Sequence, residues 1–287
     1  MAISASSLTR RRRTALRLPR GGGQTNFRVL LRGLILPVLL LLLWELGSRA
    51  GLLPPNKYSS PSAVFREMWE LAASGELAGH ILITLYRVFI GFVAGTAAAT
   101  VLGSLTGYSK LVRELVDPTI QALRNVPSIA WVPLFIVWLG IYETSKITLI
   151  AVGVFFPVYL NLMSGIQNVD RKLVEVGRMY RLSGFRLVQR VLLPATLPSY
   201  LVGLRSGLGL GWMFVVASEL MGASRGLGYL LIDGQMTGRV QVVIGSIVLF
   251  AILGKLTDVA LARFSQRFAG WQDSYKSTET GDRDVAR

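Results

Sequence analysis

Cysteine is absent from the 287-residue sequence, and histidine occurs only once, at His80. Disulfides, thiolate metal sites and cysteine nucleophiles are therefore excluded, and one histidine cannot build a histidine metal cluster. The pair Gly254-Lys255 lacks the other residues of a phosphate-binding loop. The sequence thus predicts no metal site and no enzyme, and ATP hydrolysis is not expected of this chain. His80 is expected to lie at a membrane interface.

Charge is also scarce. Only 16% of the residues are charged and 52% are hydrophobic, whereas about 25% are charged in ordinary soluble domains. A chain this apolar can neither stay disordered in water nor fold as a typical soluble domain. The composition predicts a membrane protein.

The net charge of +15 is concentrated at the amino terminus. No acid occurs in the first 32 residues, which carry eight arginines: Arg10, Arg11, Arg12, Arg13, Arg17, Arg20, Arg28 and Arg32. This clustering favours a membrane flank over a nucleic-acid surface, so residues 1–28 are expected to form a basic cytoplasmic arm. A cleaved twin-arginine signal is the alternative, although the following apolar stretch is long for a signal.

Six apolar stretches are long enough to be candidate membrane spans. They are Val29–Leu46, Ile81–Leu105, Pro118–Leu139, Thr148–Met163, Ser199–Met221 and Val240–Ala262. Between the first two, residues 53–79 show the spacing of an amphipathic surface helix, with Val64, Met68 and Leu71 on one face. The fold class expected is an all-α membrane protein with six transmembrane helices in residues 29–266.

The distribution of Lys and Arg predicts the orientation. If the amino terminus is cytoplasmic, most of the Lys and Arg residues in the short connections also lie on the cytoplasmic side. Both termini are therefore expected to be cytoplasmic, and residues 267–287 are expected to form a polar cytoplasmic tail.

Glycines four residues apart on the second and fifth spans predict close helix packing. They are Gly91, Gly95, Gly103 and Gly107, then Gly203, Gly207 and Gly211. Packing inside one subunit is the favoured interpretation, and subunit dimerisation is the alternative.

Charge is rare within membrane spans and by default functional there, and the charged span residues of interest are Arg87, Arg205, Glu219, Lys255 and Asp258. Lys255 and Asp258 are three residues apart and are expected to pair. For Arg87 and Arg205, snorkelling or an ion pair within the protein is favoured, and a polar pathway is the alternative. Glu219 fits either a gate or a surface position. A secondary transporter would need a denser set of coupling-ion ligands.

The inner connection at about residues 167–196 is too long and too patterned for a simple turn. Leu173, Val176, Met179 and Tyr180 mark one helical face, and arginines mark another. This pattern indicates docking of another protein or binding of anionic lipid headgroups, and the pattern alone does not choose between them.

The stretch EVGRMYRLSGFRLVQRVLLP, residues 175–194, resembles the cytoplasmic loop motif of permease subunits in bacterial binding-protein-dependent ABC importers. Glu175 matches the acid of the motif, and Leu193-Pro194 match its ending. Val176 and Gly177 stand where the motif has two alanines. Arg181 stands at the usual glycine, and Ser183-Gly184 follow closely. Similarity over roughly residues 35–270 points to the branch that imports aliphatic sulfonates, with taurine and nitrate importers as relatives.

This resemblance implies a type I importer permease in the bacterial inner membrane. Its partners would be a second permease subunit, with a homodimer expected, a cytoplasmic ATPase dimer that uses ATP and Mg²⁺, an extracytoplasmic binding protein and membrane lipid. No nucleic acid and no cofactor bound by this chain are expected. The coupling helix would insert into a cleft of the ATPase, with the coupling residues Glu175, Val176, Gly177, Arg178, Arg181, Ser183, Gly184, Leu193 and Pro194.

The translocation path is expected to carry an anion that stays charged at physiological pH. It needs polar or weakly positive walls without a deep well that would trap the anion. The candidates for these walls are Arg87, Asn125, Arg205, Ser206 and Glu219.

Overall fold

The computed structural model describes residues 24–52, 54, 58–220 and 222–268; side chains at 24–32, 34 and 266–268 are not described. The predicted basic arm, residues 1–28, and the predicted tail, residues 267–287, lie almost wholly outside these ranges. Every regular element in the described ranges is helical, which agrees with the predicted all-α class.

The helices follow one another with short connections. In chain order they are α1 (Gln24–Arg49), α2 (Pro61–Ala73), α3 (Glu76–Tyr108), α4 (Lys110–Leu123), α5 (Ser128–Leu139), α6 (Glu143–Gln167), α7 (Arg171–Met179), α8 (Gly184–Leu187), a π-helical segment (Val188–Leu192), α9 (Leu193–Ala195), α10 (Leu197–Leu220), α11 (Leu227–Met236) and α12 (Val240–Phe268).

Four helices in the described part of the chain are long and apolar enough to cross a membrane: α3, α6, α10 and α12. They contain the second, fourth, fifth and sixth predicted spans, and the bent pair α4 and α5 is a candidate for a fifth crossing. The predicted first span lies in α1, which belongs to a separate compact unit, Met1–Pro55. A total of six spans stays a prediction.

The third predicted span, Pro118–Leu139, is wrong as a continuous helix. The chain breaks after Leu123 and resumes at Ser128, and the two helices are bent by 103°. Pro127 has no N–H to donate and restricts the backbone of the residue before it, so an α-helix cannot run through this point without disruption. Hydropathy alone does not register this break.

α6 is the central helix of the larger unit, and α3 and α10 pack closely on it. A Cβ atom at Gly91 would lie 2.6 Å from Cγ2 of Ile150, and one at Gly107 would lie 2.8 Å from Cβ of Ile166. Residues later in α3 therefore contact residues later in α6, so the two helices run parallel. The chain between them, α4 and α5, must return from one end of the bundle to the other.

α10 packs on α6 in the antiparallel direction. A Cβ at Gly203 would lie 2.9 Å from Cβ of Asn161, and one at Gly211 would lie 3.0 Å from Cγ2 of Val154. Small residues allow this close backbone approach. The prediction that both glycine series serve packing inside one subunit is confirmed.

The amphipathic helix predicted in residues 53–79 is α2. Ser60 caps it by accepting a hydrogen bond from the N–H of Ala63 at 3.3 Å, with Pro61 in the first turn. Val64 and Leu71 are buried. Glu67, between them on the same side of the helix, forms an ion pair with Arg239, and its hydrogen bond to Arg239 raises the pKa of the guanidinium.

Candidate functional site

The coupling segment is defined here as residues 171–195, between α6 and α10. Asp170 caps α7, because its Oδ1 accepts a hydrogen bond from the N–H of Lys172 at 2.9 Å. Glu175, Val176, Gly177 and Arg178 lie in α7, Arg181 and Ser183 in the following turn, Gly184 at the start of α8, and Leu193 and Pro194 in α9. The structure thus gathers the predicted coupling residues into one helix, one turn and the link to α10.

α7 ends in a left-handed turn at Arg181. The N–H of Leu182 donates to the carbonyl of Gly177 at 3.1 Å, and the N–H of Arg181 donates to that of Arg178 at 2.8 Å. These two bonds form a Schellman motif. Arg181 has a φ of 57° and is the only non-glycine residue in the described chain with positive φ. Its position is the one at which the related motif has glycine, which adopts this conformation without steric cost.

Gly177 sets the distance between α7 and the helical segment that follows. A Cβ there would lie 2.8 Å from Cδ1 of Leu187 and 3.1 Å from Cγ2 of Val191. Val188 and Leu192 in turn pack with Leu162 and Ile166 of α6 in one buried cluster. α7 is therefore connected to α6 through the packing of α8 and the π-helical segment, and to α10 by the chain itself through α9.

The opposite face of α7 has no partner in the described residues. Val176 is 50% exposed and Met179 is 81% exposed, with Tyr180 and Phe185 similarly open. Glu175 is exposed beside them and makes no hydrogen bond within the described chain. A contiguous exposed apolar patch around a carboxylate is typical of a surface that contacts another molecule.

The far end of the α3, α6 and α10 bundle holds an ion cluster that is buried except at Glu143, here called the Arg87 cluster. It comprises the side chains of Thr84, Arg87, Glu143, Lys146 and Glu219. Arg87 and Glu219 are each 1% exposed. α6 has 25 residues, so the cluster lies roughly 37 Å from the coupling end of that helix.

Arg87 uses its whole guanidinium group in this cluster. It pairs with both carboxylate oxygens of Glu143, with distances of 2.6 Å from Nε and 2.6 Å from Nη2. Its Nη1 donates to Oε1 of Glu219 at 2.7 Å and to the carbonyl of Arg225 at 2.7 Å. This arrangement ties α3 to α6, to α10 and to the connection before α11.

Glu219 has its remaining acceptor sites filled by neutral donors. Oγ1 of Thr84 donates to its Oε1 at 2.8 Å, and the N–H of Gly228 donates to its Oε2 at 2.8 Å. Gly226 passes directly over the carboxylate, since a Cβ there would lie 2.5 Å from it. Lys146 lies 3.4 Å from Glu143, so the cluster has two cations and two anions. Burial is tolerable because every charge is paired.

The predicted path candidates are therefore not gathered at one place. Arg87 and Glu219 pair with each other, the outcome favoured for Arg87 over a polar pathway. Arg205 pairs through two hydrogen bonds with Asp258, at 2.9 and 3.0 Å. The pair expected between Lys255 and Asp258 is present but longer, at 3.8 Å.

Asn125 and Ser206 lie on open surfaces. Asn125 is in the break between α4 and α5 and borders a groove of about 370 Å³ midway along α6, whose other lining residues include Arg124, Ser128, Pro157 and Met213. Ser206 is exposed on α10. Arg124 was missed by sequence reasoning, although a cation next to a Pro-containing break is a visible signal.

Glu143 was also missed. It stands at the start of α6, outside the predicted span, so nothing local linked it to Arg87, 56 residues earlier. His80 is half-buried, and its Nδ1 accepts a hydrogen bond from the N–H of Gly226 at 3.0 Å. It therefore supports the backbone beside the Arg87 cluster.

Comparison with known proteins gives consistent matches. Residues 88–270 match the family described as binding-protein-dependent transport system inner membrane component. The chain is 38% identical to the putative aliphatic sulfonates transport permease protein SsuC of Bacillus subtilis, covering 96% of this chain and 99% of that one. It is 42% identical to the protein of the same name in Escherichia coli, covering 85% and 93%.

A more distant relative is the taurine transport system permease protein TauC of Escherichia coli, which is 32% identical over 81% of this chain and 86% of its own length. Among solved structures, the MetNI methionine ABC transporter in inward-facing conformations contains a similar fold. Its TM-score is 0.56 at 22% identity, and the match covers 67% of this chain and 95% of that one.

Proposed function

Because this chain belongs to the family of inner membrane components of binding-protein-dependent transport systems, and is thus a transport subunit and not an enzyme, we propose that it forms the translocation path of an ATP-driven importer for aliphatic sulfonates. The names of its relatives in Bacillus subtilis and Escherichia coli support this substrate class. Taurine, nitrate or another small solute is the alternative within the family, supported by the TauC relative.

The observation that carries the proposal is the unpartnered face of α7 around Glu175. In the proposed complex, a cytoplasmic ATPase subunit covers Val176 and Met179, and Glu175 accepts a charge-assisted hydrogen bond from it. The ATPase dimer binds ATP and Mg²⁺, whereas this chain binds no cofactor. A separate ATPase needs an exposed surface of this kind in order to bind the permease.

Movement of α7 would reach the membrane helices along the contacts described above. Gly177 packs on Leu187, and Leu192 packs on α6. The turn at Arg181, Ser183 and Gly184 fixes the angle of α7. Leu193 and Pro194 then lead directly into α10. A displacement caused by closure of the ATPase would therefore shift α10 relative to α6.

For the path itself, the groove beside Asn125 is the best supported location. It lies midway along the bundle and carries the cation of Arg124, and the exposed Ser206 is on α10, which also borders the groove. A permanently anionic sulfonate requires such a weakly positive, polar wall. We place Arg87 and Glu219 beside the path as a brace at its predicted outer end, and Arg205 as a brace held by Asp258.

The remaining partners follow from the same proposal. A second copy of this chain completes the path as a homodimer, and an extracytoplasmic binding protein delivers the substrate. The chain is a multi-pass protein of the inner membrane surrounded by its lipid, and both termini, including the basic arm, are placed in the cytoplasm.

Reconstitution tests this function directly. The permease with its ATPase partner in liposomes should hydrolyse ATP faster when the loaded binding protein is added, and should accumulate the sulfonate. A complex whose ATPase cannot hydrolyse ATP is the control and should show no uptake. Equal uptake with the control complex would refute an ATP-driven importer and favour an ion-coupled transporter. ATP-driven uptake of taurine or nitrate in place of other sulfonates would refute only the substrate assignment.

A further inference from the structure

A basic cavity lies between α7 and the ends of α3 and α6. Its volume is about 530 Å³. Its lining includes Arg113, Arg171 and Arg178 together with the apolar side chains of Ile166, Leu187 and Leu192. Three arginines therefore converge on one space, and no lining residue is acidic.

The three arginines come from different parts of the chain. Arg113 is on α4, whereas Arg171 and Arg178 are at the two ends of α7. Within the described residues, none of the three forms an ion pair. Arginine stays charged at any physiological pH. The cavity therefore carries three positive charges that no salt bridge neutralises, and such a cavity favours an anionic occupant.

The cavity also has an apolar floor. Ile166, Leu187 and Leu192 contribute to it, and Ile166 and Leu192 belong to the buried cluster that joins the coupling segment to α6. Three guanidinium groups above an apolar surface match an amphipathic anion. Gly107 and Tyr108 lie at the end of the apolar helix α3, just past the predicted span Ile81–Leu105, so the predicted topology puts the cavity near the cytoplasmic membrane interface.

Arg171, Val174 and Arg178 form one flank of α7, because they are separated by three and four residues. The exposed face of Val176, Met179 and Tyr180 lies on another side of the same helix. One short helix thus has two different surfaces. The flank of Arg171, Val174 and Arg178 can therefore contact a ligand in the cavity while another protein covers the exposed face.

We propose that this cavity binds the phosphate headgroup of an anionic phospholipid, held by Arg113, Arg171 and Arg178. Arginine forms bidentate hydrogen bonds with phosphate, and basic pockets at the cytoplasmic ends of membrane helices are suited to such headgroups. The bound lipid links α7 to α4 across the cavity, so it stabilises the position of the coupling segment. This inference requires only the chain in a membrane and does not depend on the transported substrate.

Lipid retention by the full chain tests this site. The protein is purified in neutral detergent and mixed with phosphatidylglycerol or phosphatidylcholine, and bound lipid is counted by native mass spectrometry. The wild type should retain one phosphatidylglycerol per chain in preference to phosphatidylcholine. The triple variant R113Q/R171Q/R178Q should bind phosphatidylglycerol about 100-fold more weakly, since each arginine contributes about fivefold.

A matched control removes three positive charges from the coupling segment without changing the lining of the cavity. Lys172, Arg186 and Arg190 are exposed and do not line the cavity, so K172Q/R186Q/R190Q should retain the lipid as the wild type does. The single variant R113Q, outside the coupling segment, should weaken binding about fivefold. This variant keeps the test decisive if the triple variant fails to fold.

Three outcomes would overturn the proposal. Equal retention of phosphatidylglycerol by the wild type and R113Q would remove Arg113 from a lipid site. Displacement of the lipid by millimolar inorganic phosphate would show a free-anion site. Loss of ATPase co-purification in R113Q, with lipid retention unchanged, would assign the cavity to the partner protein.

Discussion

The two ends of α6 differ in how their polar groups are satisfied. At one end, Arg87, Glu219 and Lys146 of the Arg87 cluster are buried, Glu143 is partly exposed, and each of the four charges is paired inside the chain. At the other end, Glu175 is exposed and has no hydrogen-bond or ion-pair partner among the residues that the structure describes, and the apolar face beside it is open. A closed network fixes helices relative to each other, whereas an open surface needs another molecule. The Arg87 cluster therefore holds the helices of this subunit together, whereas the face around Glu175 is available to bind another protein.

The largest expected effect comes from opening the closed end. Arg87→Ala leaves Glu143 and Glu219 without their common partner, and removing one member of a buried pair costs about 3–5 kcal/mol. We expect a large fall in the midpoint of thermal unfolding, or loss of the protein from the membrane.

Arg225→Ala provides the control for Arg87→Ala. Arg225 contributes its backbone carbonyl to the cluster, while its residue is exposed, so its truncation should leave the unfolding midpoint unchanged. Equal stability of the two variants, both measured by the unfolding of the purified protein, would show that the cluster does not hold the helices together.

A smaller effect is expected at the open end. Glu175→Gln keeps the shape of the side chain but removes its charge, so a charge-assisted hydrogen bond to the ATPase should become about tenfold weaker. Binding of the ATPase to the purified permease measures this, and the unfolding midpoint of the permease alone should not move.

The exposed acid Glu114 serves as the control for Glu175. In the described part of the chain it pairs with Lys110 on its own helix, at 3.6 Å, so Glu114→Gln should leave ATPase binding unchanged. A fall in stability with Glu175→Gln, without weaker ATPase binding, would contradict the distinction between the two ends.

The smallest effect concerns the turn after α7. Arg181→Gly should stabilise the protein by about 1 kcal/mol, because glycine adopts the left-handed conformation without a clash of its Cβ. Arg186→Gly, at a helical position of α8, should instead destabilise it by about 0.5–1 kcal/mol. Thermal unfolding of both variants measures the difference, and destabilisation by Arg181→Gly would show that the arginine side chain itself holds the turn.

The sequence predicts the apolar helices well because each is a local pattern. The spans placed in α3, α6, α10 and α12 are confirmed as helices, with ends that differ by a few residues. The break at Pro127 was overlooked, since a hydropathy average runs across it. Proline and the preceding Asn125-Val126 carry a turn signal that such an average discards.

The candidate sites show the same limit. Glu175 and its neighbours were found because they form one contiguous motif. The pairing of Arg87 with Glu219 joins residues 132 positions apart, and no local pattern reports such a contact. Arg205 was likewise assigned no specific partner, although Asp258 was recognised as a charged residue on another span. Such pairs depend on which helices pack together, and a single sequence does not contain that information in readable form.

The most direct test of the central claim uses the absence of cysteine from the chain. Met179 is 81% exposed on α7 and Met236 is 84% exposed at the end of α11, so Met179→Cys and Met236→Cys each create one reactive site. If a separate ATPase grips the coupling segment, its binding should slow maleimide labelling at position 179 and leave position 236 unaffected. Unchanged labelling at position 179 in the assembled complex would contradict the account.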